Sequence, residues 1–261
     1  VSDTAQAGAM VRKIKDYINP AYMGPWRNIV TMVADDEDNN IHMNDSDNLA
    51  RLIEEAEPSF NIEKIYLDSY RQVTSVNGDA YPEATRAIND RINNGCLILN
   101  YAGHGNEIGL AHERVVNTEN INSWSNRGRY PVFVTATCEF SRFEDIDIDP
   151  GNGEISQKSS AGELVLLNPS GGAIALLTTT RIVFASHNYN LASRLYENAF
   201  TKDEQGKGLT LGEIMRHAKN SIGGENKRNF TLLGDPALRL AYPYYGKVVT
   251  DSINGKDIAS P

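Results

Sequence analysis

Strands and helices alternate along most of the chain, which predicts an α/β fold: an open, mostly parallel sheet flanked by helices on both faces. Two observations carry this. The apolar runs Ile29-Val-Thr-Met-Val-Ala34, Cys96-Leu-Ile-Leu-Asn-Tyr101, Val132-Phe-Val-Thr-Ala136 and Ala173-Ile-Ala-Leu-Leu177 are short and continuous, as strands buried on both faces are. The segments between them are long enough to hold crossover helices, which parallel strands require.

In chain order, a helical lead over residues 9–17 precedes the first strand at 28–34, which runs into the acidic segment Asp35-Asp36-Glu37-Asp38. A helix over 47–57 then precedes a strand at 62–67, and a helix over 83–93 precedes the strand at 97–101. The strand at 131–136 ends in Thr137-Cys138. A polar loop to about 160, a helix through 167 and a Pro-Ser-Gly-Gly turn lead to the strongest apolar strand, near 173–178. Helices over 189–199 and 211–221 follow. Residues 242–261 are rich in Tyr, Pro, Gly and Asx and read as a linker into a further C-terminal domain.

The length of 261 residues suits one large α/β domain or two small ones, and 40% apolar content is normal for a packed core. A net charge of −9 and the lack of clustered Lys and Arg argue against nucleic acid as a partner. No stretch has the length and apolarity of a membrane-spanning helix, and Val1-Ser-Asp-Thr does not begin a signal peptide. A start without Met suggests a piece of a longer protein, residues 1–20 being a lead helix from a preceding region. Cys96 and Cys138 fall at opposite ends of their strands, roughly 15 Å apart, so no disulfide joins them.

Chemistry concentrates at two strand ends. In an open parallel sheet, reactive groups gather over the carboxyl ends of the strands. Asn100-Tyr-Ala-Gly-His104-Gly105 and Thr135-Ala-Thr-Cys138 each end such a strand, so His104 and Cys138 are expected over one crevice. Cys138 is the candidate nucleophile and His104 the base that takes its proton. The N–H groups of Gly105 and Cys138 are the candidate oxyanion hole. A carboxylate from the run 35–38 would orient the imidazole. Arg181, at the end of the late strand, is a candidate to meet a carboxylate-bearing group. His112, His187 and His217 lack metal-ligand spacing and receive no role.

The loop Glu144-Asp-Ile-Asp-Ile-Asp-Pro-Gly-Asn-Gly-Glu154 sets Asp145, Asp147 and Asp149 at every second position, a layout that suits calcium. It departs from an EF-hand: Gly151 comes one place late, and the twelfth position is Ser156 rather than Glu. The chemistry requires no cofactor; calcium is the one candidate ion.

The run Cys-Leu-Ile-Leu-Asn-Tyr-Ala-Gly-His-Gly at 96–105, followed by Phe-Val-Thr-Ala-Thr-Cys at 133–138, resembles the catalytic core of the gingipain family of cysteine peptidases. Gly171-Gly-Ala-Ile-Ala175 and Leu233-Gly-Asp-Pro-Ala-Leu238 resemble its closing elements, so the likeness covers residues 1–241. It implies a caspase-like fold and places the acidic partner of the histidine on Glu37, with Asp36 as the alternative. It places the residue that selects a basic side chain on His42, so arginine specificity is not expected. Thr-Ala-Thr-Cys-Glu-Phe-Ser-Arg-Phe at 135–143 and Thr179-Thr-Arg181 are similar to the PorU-like branch, the surface sortases of type IX secretion. That likeness implies cleavage of C-terminal signal domains from exported proteins at the outer face of the outer membrane. The acyl group would pass to lipopolysaccharide or water, and outer-membrane secretion components would be partners. The rival expectations are a secreted endopeptidase of broad range and a non-catalytic docking module.

Overall fold

Six segments form the strands of one sheet: Ile29–Ala34 (β1), Asn61–Tyr66 (β2), Ile98–Ala102 (β3), Val132–Ala136 (β4), Ala175–Thr179 (β5) and Phe230–Leu233 (β6). The computed structural model describes residues 1–76, 78–148, 151, 153, 155–243, 252–253 and 256–257. The strand order is β6-β5-β4-β3-β1-β2, with every neighbouring pair parallel except β5 and β6. The fold class is therefore the expected one.

Seven helices are described: Thr4–Ile18 (α1), Ile41–Ala56 (α2), Pro82–Asn94 (α3), Thr118–Ser123 (α4), Ala161–Leu167 (α5), Ala185–Ala199 (α6) and Leu211–Ser221 (α7). The period-2 pleat assigns their faces. Val30, Met32, Ile98, Val132, Val134, Ala175 and Leu177 pack with α2, α6 and α7, whereas Val33, Leu99, Phe133 and Leu176 pack with α3, α4 and α5. Full burial of each such Val, Leu or Ile side chain contributes about 1.5–3 kcal/mol, which locks the register.

The main departures from the sequence reading are α2, β6 and α4, the last a six-residue helix that the sequence reading lacks. Helix α2 starts at Ile41, earlier than 47, although His, Asn, Asp and Ser fill its first turns. Its buried residues are His42, Ser46, Leu49, Ala50 and Ile53, a helical stripe whose packing outweighs the weak propensity. The sequence reading lacks β6, because Phe230-Thr-Leu-Leu233 is a short edge strand with only Phe230 buried. The tail at 242–261 lies mostly outside the described residues.

Candidate active site

The sheet brings its strand ends level. Ala34 pairs with Ala102, and Ala102 with Ala136, so His104 and Cys138 each stand two residues beyond one paired position. Strand order reverses between β1 and β3, and the crevice at that switch point holds the loop after β1 against the loop after β3. Asp35 N–H donates to Ala102 O at 3.0 Å, and Asp35 Oδ2 accepts from His104 N–H at 2.8 Å. Burial raises the Asp35 carboxyl above its ordinary value despite that bond. A methyl group at Gly103 would lie 2.4 Å from Asp35 Cβ and 2.6 Å from the Tyr101 hydroxyl, so this close approach requires glycine.

Asp38, Asn39 and Asn40 have φ of 60°, 54° and 64°. Three successive left-handed residues are tolerable here because Asp and Asn are the non-glycine types that best adopt that region. The turn carries the Asp38 carboxylate back to His104, whose Nε2 lies 2.9 Å from Asp38 Oδ2 and 3.4 Å from Glu37 Oε2. The hydrogen bond from His104 holds Asp38 below its ordinary value. Glu37 also meets His112 Nδ1 at 3.0 Å, which raises that imidazole. Asp36 turns elsewhere and accepts from the Tyr81 hydroxyl at 2.6 Å. Asp38, outside the pair named from sequence, thus makes the shortest contact to the histidine, with Glu37 second.

His42 is buried at 6% exposure in the first turn of α2, its ring edge-on to His104 at 5.4 Å. Burial, and then the neighbouring His104, lowers it. It packs beneath His104 and does not form an open pocket wall. His112, left without a role on sequence grounds, stacks on His104 at 5.0 Å with the planes 15° apart. Its signal was positional: it lies shortly beyond the Gly-His-Gly segment, and a hairpin folds it back. In that hairpin Ala111 N–H bonds to His104 O at 2.9 Å. Gly105 therefore occupies a non-hydrogen-bonded position opposite Leu110, and its own N–H points away from the ladder. A methyl at Gly105 would meet Thr137 Oγ1 at 2.6 Å, which sets this backbone directly against the Cys138 turn.

Hydroxyl groups fix that turn. Thr135 Oγ1 donates to Thr178 Oγ1 at 2.6 Å, Ser141 N–H to Thr179 O at 2.9 Å, and the Thr179 hydroxyl to Thr137 O. Glu139 has φ 50°, and Ala111 φ 62°; outside glycine and Asx such backbone costs about 1–3 kcal/mol and clusters at functional sites. Cys138 is half-buried, and its Sγ donates to Val183 O at 3.6 Å; among the described residues it makes no hydrogen bond to His104. Both cysteines are free.

Arg181 reaches the same rim: its carbonyl accepts from Glu139 N–H at 3.4 Å, while its guanidinium pairs with Glu144. Of the acidic loop, Asp145 pairs with Arg142 at 2.7 Å, and Asp147 is exposed on a hairpin opposite Ser156; Asp149 lies outside the described residues. A cleft of about 710 Å³, lined by Tyr17, Arg27, Phe60 and Leu240, opens at the amino ends of the strands, away from this chemistry.

The profile of Peptidase family C25 matches residues 1–241. Among solved structures, the chain is similar to the Arg-specific cysteine proteinase gingipain R, with 16% identity and a TM-score of 0.66 over 88% of this chain and 52% of that one. It is similar to a complex of Porphyromonas gingivalis RgpB pro- and mature domains, with 16% identity and a TM-score of 0.66 over 89% and 53%. A third structure, described as a protease, gives 13% identity and a TM-score of 0.67 over 97% and 58%. The chain thus spans little more than half of each, and at these identities the likeness speaks for the fold. No curated protein matches the sequence. With the profile covering all six strands and both candidate catalytic loops, the chain belongs to peptidase family C25, the gingipain family.

Proposed function

We propose that this chain is the catalytic domain of a cysteine peptidase. The observation that carries the reading is the shared register that sets His104 and Cys138 two residues beyond paired positions of adjacent strands, with His104 Nε2 held by Asp38. With Nε2–H donated to the carboxylate, Nδ1 is left to take the thiol proton. The Cys138 thiolate adds to a peptide carbonyl, and the N–H groups of Gly105 and Cys138 receive the oxyanion. The His104 imidazolium returns its proton to the departing amine, leaving a thioester that water or a second amine opens.

The finer reading is a sortase. It would remove C-terminal signal domains from type IX secreted proteins at the cell surface and pass the acyl group to an amine of lipopolysaccharide or to water. Its support is the sequence likeness at 135–143 and 179–181, together with the contact between Glu139 and Arg181 that joins those two segments at one rim.

The test is intact-mass analysis of type IX cargo from cells whose only copy of the full-length protein carries Cys138→Ala. Cargo that keeps its signal domain and lacks its surface anchor supports the sortase. Normal cargo, together with thiol-dependent turnover of unstructured peptides by the wild type, favours a broad endopeptidase. Labelling of Cys138 by an electrophile no faster than a model thiol would leave a docking module.

A further inference from the structure

Three imidazoles and two carboxylates crowd into one corner of the crevice, more than orienting a single base requires. His104 Nε2 lies 2.9 Å from Asp38 Oδ2 and 3.4 Å from Glu37 Oε2, and His42 Nε2 lies 3.3 Å from the same Asp38 oxygen. Zinc bonds of about 2.0–2.2 Å in a tetrahedron place neighbouring ligand atoms roughly 3.3–3.5 Å apart. The His42–Asp38 spacing of 3.3 Å matches such an edge, the His104–Asp38 spacing of 2.9 Å is somewhat shorter, and the three ligand atoms form one close group. His42 Nε2 is buried, faces Asp38 Oδ2 at 3.3 Å and makes no geometric hydrogen bond among the described residues. A buried ring nitrogen in that condition costs stability unless something satisfies it, and a cation shared with Asp38 does so.

Ring orientation selects the ligands. His42 and His104 meet at 87°, so their in-plane lone pairs can converge on one point. His112 stacks on His104 at 15°, and lone pairs in nearly parallel planes cannot converge in that way. We propose that His42, His104 and Asp38 bind one divalent transition-metal ion of zinc's size and ligand preference, with water completing the tetrahedron, and that its occupation silences Cys138.

The silencing follows from tautomers and rests on His104 being the base; the binding does not. A metal on Nε2 displaces the proton held there, so the neutral ring keeps its remaining proton on Nδ1. That nitrogen then has no lone pair for the thiol proton, and the thiolate does not form.

The test titrates Zn²⁺ and Co²⁺ into the full chain as wild type, His42→Gln, His112→Gln and Cys138→Ala. The expected result is one ion per chain, with affinity lowered on the order of 100-fold by His42→Gln and unchanged by His112→Gln or Cys138→Ala. Bound Co²⁺ should show no sulfur-to-metal charge-transfer band. Zinc should stop wild-type turnover over the same concentration range that fills the site. Absence of saturable binding overturns the proposal, as does binding that survives His42→Gln and disappears in Cys138→Ala. Should the His42 variant fail to fold, X-ray absorption of the zinc-loaded wild type decides: nitrogen and oxygen alone near 2.0–2.1 Å support the site, and a sulfur shell near 2.3 Å overturns it. Binding without any peptidase turnover would sink the catalytic reading and leave the metal site standing.

Discussion

Two clusters at opposite ends of the sheet treat buried polar groups in opposite ways. At the amino ends, Lys13 is 1% exposed, yet its ammonium donates to Leu166 O at 2.7 Å and Gly171 O at 2.8 Å and lies 5.0 Å from the Tyr130 ring centre. Asn168 beside it donates to Ile121 O and Trp124 O and accepts from Ser170 N–H and Gly171 N–H. Asn126 makes three further bonds of the same kind. At the carboxyl ends, Asp36 Oδ1, His42 Nε2 and Glu113 Oε2 are buried with no hydrogen bond among the described residues. Burial and the nearby Asp36 and Asp35 carboxylates raise Glu113. The cluster of Lys13, Asn126 and Asn168 satisfies its polar atoms and so fixes how α1 and the turn before β5 pack. The other leaves like charges close together, an arrangement that costs stability and is expected where chemistry is done.

Substitutions at the two ends should therefore separate activity from stability. The largest effect is expected for His104→Ala, which should lower kcat/KM by about 10²–10⁴-fold while the urea midpoint barely moves. A midpoint that falls along with activity would break the contrast. Asp38→Asn should cost on the order of 10-fold in kcat/KM, Glu37→Gln less, and the double variant more than the product of the two, since both carboxylates reach one nitrogen. Simple multiplication of the two effects would mean that the two carboxylates act independently.

At the other end, Lys13→Met should lower stability by about 1–3 kcal/mol, because carbonyls lose their donor, with turnover per folded molecule retained. Chemical denaturation and active-site titration on the same samples check this. The same residue carries a pH dependence. Burial pushes the Lys13 ammonium from its ordinary 10.5 down to about 7. Between those values unfolding takes up a proton, so wild-type stability should rise with pH across that window, and Lys13→Met should lack the rise. A pH profile shared by both proteins would assign the slope to other groups.

The pattern of residues made much of this readable. Continuous apolar runs with intervening helices gave five of the six sheet strands close to their observed bounds, and the ends of β3 and β4 already displayed Gly103-His104-Gly105 and Thr137-Cys138. Strand β6 escaped because an edge strand buries one side chain and leaves no alternation to detect. The start of α2 escaped because its helicity comes from what His42 and Ser46 pack against, not from their propensities.

The sequence by itself determined the strands, their crossover helices and the two groups at their tips, since apolar periodicity and glycine placement are local properties. Tertiary structure decided which acid meets the histidine. Asp38, rather than Glu37 or Asp36, makes the shortest contact because three left-handed residues fold the loop back, and neighbours in an acidic run are indistinguishable until that turn is formed. It also decided that His42, from a helix, and His112, from a hairpin, converge on His104. Strand order at the switch point, a long-range property of the sheet, sets those distances.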